Sequence, residues 1–75
     1  MTRLPAISAR DAIAAFRKHG FEIDHQTGGH IIMRNAGSPH RRLTIPNHKE
    51  LAKGTLRALV RQAGLTVDEF VEPLK

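Results

Sequence analysis

Two glycines between two strand-forming runs constrain this chain more than any other feature. Phe21-Glu22-Ile23-Asp24-His25 comes before Gly28-Gly29, and His30-Ile31-Ile32-Met33-Arg34 comes after it. Neither glycine has a Cβ to resist positive φ, so the pair is turn chemistry. The first run alternates apolar with polar, as a half-buried strand does, and points Phe21 and Ile23 inward. His25 shares their parity near the strand end, which puts it at the rim of the core. The second run is apolar with strand character over residues 30–34. His30 opens it beside the turn, held by a strand yet reachable from the loop. On spacing alone the pattern favours a solvated histidine at a hairpin mouth over a working one.

Helical signals flank the hairpin. Ser8 reads as an N-cap with Asp11 at N3, a variant of the capping box. Ala9, Ala12, Ile13 and Phe16 form one apolar stripe, and Arg17, Lys18 and His19 crowd the last turn, where cations suit the helix dipole. Gly20 then ends the helix with Phe21 as its hydrophobic contact. Downstream, Asn35-Ala36-Gly37-Ser38-Pro39 is a turn cluster, and a third strand over residues 40–45 stops at Pro46, which cannot donate to a ladder. His40, Arg41 and Arg42 read as a basic exposed strand edge that guards against aggregation. Pro46-Asn47-His48 is a loop, and residues 49–52 a short helical turn. A second helix runs over residues 55–63 with Leu56, Leu59, Val60 and Ala63 inward, ended by Gly64-Leu65. Thr66 caps a last turn carrying Asp68, Glu69, Phe70 and Val71, which Pro73 stops. The order is therefore helix, three antiparallel strands, helix, short C-terminal helix. Laying both main helices on one sheet face gives an α+β two-layer sandwich with the other face open.

The 75 residues make a single domain, whose stability is about 4–11 kcal/mol at ordinary per-residue values. There is no cysteine to staple the core or to hold a metal through thiolates. No apolar run approaches the ~20 residues of a membrane helix, and Met1-Thr2-Arg3-Leu4-Pro5 lacks the apolar region of a signal peptide. A cytoplasmic setting without membrane partners is expected. The net charge of +5 and a pI near 10.8 favour polyanions, with nucleic acid first and an acidic protein second. With three Phe and no Trp or Tyr, binding through phosphate and shape is favoured over base stacking.

Four blocks carry a family resemblance: the amphipathic helix ending in Gly20-Phe21, the step Gly28-Gly29-His30, the strand end Leu43-Thr44-Ile45-Pro46 followed by His48, and Glu50-Leu51-Ala52-Lys53-Gly54-Thr55-Leu56 running into Leu59-Val60-Arg61-Gln62-Ala63-Gly64-Leu65-Thr66. In that order they resemble the HicA family of toxin ribonucleases, the partners of HicB antitoxins, and the α-β-β-β-α order resembles the double-stranded-RNA-binding-domain fold. The resemblance implies an mRNA-cleaving toxin of a toxin–antitoxin system, acting in stress response, whose catalytic histidine matches His30. It also implies a HicB-like antitoxin as partner, with operator DNA met only through that complex. The family usually has Gly-Ser-His, so a serine hydroxyl is missing beside the histidine here.

RNA needs no metal to be cut, because its own 2′-OH can attack phosphorus. The catalyst must take the 2′-OH proton, protonate the leaving 5′-oxygen and offset charge on the phosphorane. Histidine suits the proton transfers, lysine and arginine the phosphate. His30 is the candidate general base or acid. Arg34, four residues on along the same strand face, is a candidate phosphate contact or a solvated strand end. His48 is a candidate second proton carrier, phosphate contact or structural loop residue. His19 reads as dipole compensation, and His25 as a rim residue or an assistant to the site. Lys49, Lys53, Arg57 and Arg61, spaced by four, form a candidate RNA-binding ridge on the second helix. The same ridge could instead dock an acidic antitoxin surface. No metal or cofactor is expected: the histidines lack ligand spacing, and Asp11, Glu50, Asp68, Glu69 and Glu72 have capping or solvation roles. A non-catalytic RNA-binding module and a degenerate toxin that only binds an antitoxin are the alternatives.

Overall fold

The computed structural model describes residues 3–35, 37 and 41–74. Helix α1 (Ala9–Lys18) is followed by strands β1 (Phe21–Thr27), β2 (His30–Asn35) and β3 (Arg42–Pro46). Helices α2 (Lys53–Gln62) and α3 (Val67–Val71) come next, and a 3-10 turn over Glu72–Leu74 closes the chain. The strands form one antiparallel sheet in the order β1-β2-β3. Both main helices lie on one face of it, which makes the expected α+β two-layer sandwich with a double-stranded-RNA-binding-domain-like order.

Local chemistry accounts for the helix ends. The Ser8 hydroxyl accepts from the Asp11 N–H at 3.1 Å and caps α1. Gly20 at φ +90° and Gly64 at φ +76° end α1 and α2 in the left-handed conformation. At the second end Gly64 N–H donates to Arg61 O and Leu65 N–H to Val60 O, the paired bonds of a Schellman motif. Thr66 and Glu69 form a complete capping box on α3.

The core lies between the layers. Phe16, Phe70, Met33, Leu43, Ile45, Leu51 and Leu56 are its fully buried large side chains. Phe16 anchors it, meeting Phe21 edge-on at 5.9 Å and Phe70 at 4.8 Å between ring centroids. α1 packs on β1 and α3, and α2 on β3 and α3.

Several details depart from the sequence pattern. Residues 49–52 form no helical turn: α2 starts at Lys53, and the buried Leu51 donates its N–H to Ile7 O at 2.8 Å instead. Ile23 keeps the parity of Phe21 yet is 48% exposed, because β1 is an edge strand of which the helical layer covers only Phe21. Pro46 is the last residue of β3 rather than a stop before it; as an edge position it needs no donor toward solvent. Arg41 is no exposed edge residue. It is half-buried, and its Nη1 donates to Gln62 O at 3.0 Å, tying the chain ahead of β3 to the end of α2. His19 does more than offset a dipole, since its Nε2 donates to Glu69 O at 2.8 Å and binds the end of α1 to α3. His40 lies outside the described residues, as do Ala36, Ser38 and Pro39 of the turn cluster.

Candidate active site

The register of the sheet decides what stands together on its uncovered face. β2 and β3 pair His30 with Pro46, Ile32 with Thr44 and Arg34 with Arg42. Since Ile31, Met33, Leu43 and Ile45 point into the core, His30, Ile32, Arg34, Arg42 and Thr44 point away from it. Ile32 is buried (4% exposed) outside the core cluster, so the open face has an apolar floor at its centre.

β1 reaches this face through an irregularity. Thr27 pairs with His30 and His25 with Ile32, but the next partner of β2, Met33, pairs with Ile23, which leaves Asp24 as an extra residue. Such a bulge reverses the alternation beyond it. His25 therefore leaves the core-rim parity expected for it and joins the open face, diagonal to His30. The Asp24 Oδ2 accepts from the His25 Nδ1 at 2.5 Å and lies 3.4 Å from Arg34 Nε. A carboxylate can only accept, so Nδ1 carries the proton and Nε2 is turned outward. The His25 hydrogen bond, followed by the charge of Arg34, holds the Asp24 carboxyl below its ordinary range.

His30 itself is exposed at the first residue of β2, next to the two-residue turn. Gly28 takes φ +44° there, whereas Gly29 has no positive φ and open space where a Cβ would stand. Asn47 N–H donates to Gly29 O at 2.7 Å and sews the loop after β3 to this turn. That bond brings the following His48 and Lys49 close to the turn that carries His30. Together with Ser8, Arg10 and Asn47 they line an open groove of about 460 Å³. The His48 backbone is fixed at both ends, its N–H to Pro46 O and its carbonyl from Ala9 N–H, while its ring has no hydrogen-bond partner among the described residues.

The cationic ridge is shorter than expected. Lys53, Arg57 and Arg61 are exposed along α2, but Lys49 precedes the helix and belongs to the groove. Arg57 and Arg61 border a separate cleft of about 390 Å³ with Gly64 and Val67 at the α2–α3 junction. Among the described residues no three His, Cys, Asp or Glu side chains converge as a metal would require. No helix among them is long and apolar enough to cross a membrane.

The family model for the HicA toxin of bacterial toxin–antitoxin matches residues 9–65, from the first helical residue to the end of the α2 cap. The chain belongs to the HicA toxin family. No curated protein matches it. Membership makes it the toxin half of a toxin–antitoxin pair, and the matched region spans the open face and every residue lining the groove but Ser8.

What sequence reasoning missed at this site is the Asp24–His25 pair and the placement of Arg42 beside Arg34. One signal was present. Strict alternation after Ile23 would have sent His25 and Thr27, both polar, toward the core side, and a bulge leaves only Gln26 on that side, opposite Ile31.

Proposed function

We propose that this HicA-family toxin is a metal-independent endoribonuclease that cuts mRNA in the cytoplasm and so blocks translation. The observation that carries this reading is His30: an exposed imidazole on a rigid strand, at a glycine turn, on a sheet face that also presents His25, Arg34 and Arg42. His30 moves a proton between the 2′-OH, the 5′-oxygen and solvent. Arg34 contacts phosphate, although Asp24 already shares its charge. His48 and Lys49 in the groove, with His48 as phosphate contact or second proton carrier, extend the track for the strand. Lys53, Arg57 and Arg61 add non-specific affinity from α2. The turn Gly28-Gly29 lets the backbone of the substrate approach, and no cofactor takes part. A HicB-like antitoxin neutralises the toxin by covering the cationic surface, and operator DNA is met only through that complex.

The test is cleavage of a structured mRNA in excess EDTA by wild type and by His30→Ala. Cutting by wild type alone, with 2′,3′-cyclic phosphate or 3′-phosphate ends, supports the reading. RNA that is bound but uncut by either protein points to a non-catalytic RNA-binding module. A chain that neither binds nor cuts RNA but still captures its antitoxin is a degenerate toxin.

A further inference from the structure

We infer that His25, oriented by Asp24, is the second proton carrier of the cut, and that it protonates the leaving 5′-oxygen while His30 removes the 2′-OH proton. This rests on the endoribonuclease reading above.

Three observations place His25 in that role. First, the bulge at Asp24 turns the ring to the face that carries His30. As a diagonal cross-strand neighbour its backbone stands about 7–8 Å from that of His30, a spacing at which two imidazoles can flank one phosphate. Second, its Nδ1–H is engaged by the Asp24 carboxylate at 2.5 Å, so the ring is oriented with Nε2 free to reach substrate. The side chain is 44% exposed and open to a strand of RNA. Third, the floor between the two histidines is the buried Ile32, which pairs with His25 and follows His30 by two positions on the same face. His48, the other candidate, has no such orienting partner for its ring among the described residues, and it stands on the groove side of the turn.

The step balances without a co-reactant. The 2′-oxygen bonds to phosphorus as the P–O5′ bond breaks. His30 accepts the 2′-OH proton, and the Nε2–H of His25 passes to the 5′-oxygen. The products are a 2′,3′-cyclic phosphate and a 5′-hydroxyl. His25 is left as the Nδ1–H tautomer that Asp24 holds, and both rings regain their starting state by exchange with solvent. Asp24 touches no reacting atom and is a positioning residue.

The experiment compares two RNA substrates in EDTA, one with the ordinary phosphodiester and one with a 5′-bridging sulfur, whose thiolate leaves without protonation. His25→Ala should cut the ordinary linkage about 10²–10⁴-fold more slowly yet cut the sulfur linkage close to the wild-type rate. Asp24→Asn should show a smaller version of the same selective loss. His30→Ala should lose about 10²–10⁴-fold on both. Circular dichroism and an unchanged urea midpoint confirm that the exposed substitutions leave the fold intact. Ordinary-linkage cutting by His25→Ala at the wild-type rate overturns the inference, as does an equal loss on both linkages, or sulfur rescue of His48→Ala instead. If wild type cuts neither linkage, the endoribonuclease reading itself fails, and the assignment of His25 falls with it.

Discussion

The two faces of the same three strands obey different rules. On the covered face Met33, Leu43 and Ile45 are fully buried, and every change there is felt through packing. On the open face His25, His30, Arg34, Arg42 and Thr44 surround one buried apolar residue, Ile32. Their side chains contribute little to stability, so that face is free to carry chemistry. The pleat alone would assign β1 to the two faces by strict alternation, but the bulge at Asp24 reassigns its second half. One extra residue therefore adds a histidine to the open face without altering the core.

The contrast predicts lesions of different kinds. Phe16→Ala, at the meeting point of three aromatic rings, should cost about 3–5 kcal/mol. Against a total of about 4–11 kcal/mol, urea denaturation should find the variant largely unfolded or close to it. His30→Ala should behave in the opposite way. Cutting should fall about 10²–10⁴-fold, while the urea midpoint moves by no more than the ~0.5 kcal/mol usual for surface changes. A large loss of stability in that variant would break the division between the faces.

Smaller effects sharpen the comparison at the helix ends. Gly64→Ala forces a side chain into φ +76° and sets a Cβ 2.9 Å from the Arg41 guanidinium carbon. It should cost about 1–2 kcal/mol from the backbone alone, read as a lower urea midpoint. Gly29→Ser, which faces open space and no positive φ, should leave the midpoint unchanged and report only on activity. Thr66→Ala should cost about 1 kcal/mol by removing the α3 cap. The cap is also sensitive to acid. The Thr66 backbone N–H, then its hydroxyl, holds the Glu69 carboxyl below its ordinary value. A lowered native pKa contributes stability that is fully present above the unfolded glutamate value of about 4.3 and is lost as pH falls through the native one. Glu69→Gln should therefore flatten the fall in stability below that pH. Last, Arg57→Ala and Arg61→Ala should each reduce the salt slope of RNA affinity by about one. An unchanged slope would reserve the α2 ridge for the antitoxin.

Much of this was legible in the residues. Ser8, Gly20, Gly64 and Thr66 mark helix ends through local backbone chemistry that needs no tertiary context, and the predicted apolar stripes are the buried ones at Ala12, Phe16, Leu56, Leu59 and Val60. The Gly28-Gly29 turn and the place of His30 beside it follow from the same short-range physics. The fourfold spacing of Lys49 with Lys53 misled, because spacing cannot show that Leu51 leaves the helical path to reach Ile7 O.

The sequence by itself determined the order of the elements, the family and the position of His30, since caps, turns and periodicity act within a few residues of the chain. Only the tertiary structure decided that His25 shares the open face with His30, that Asp24 orients it, that Arg41 clamps the end of α2 and that His48 stands by the turn. Each of these depends on the register between strands or on contacts between segments far apart in sequence. A shift of one residue in register moves a side chain through the sheet from one face to the other.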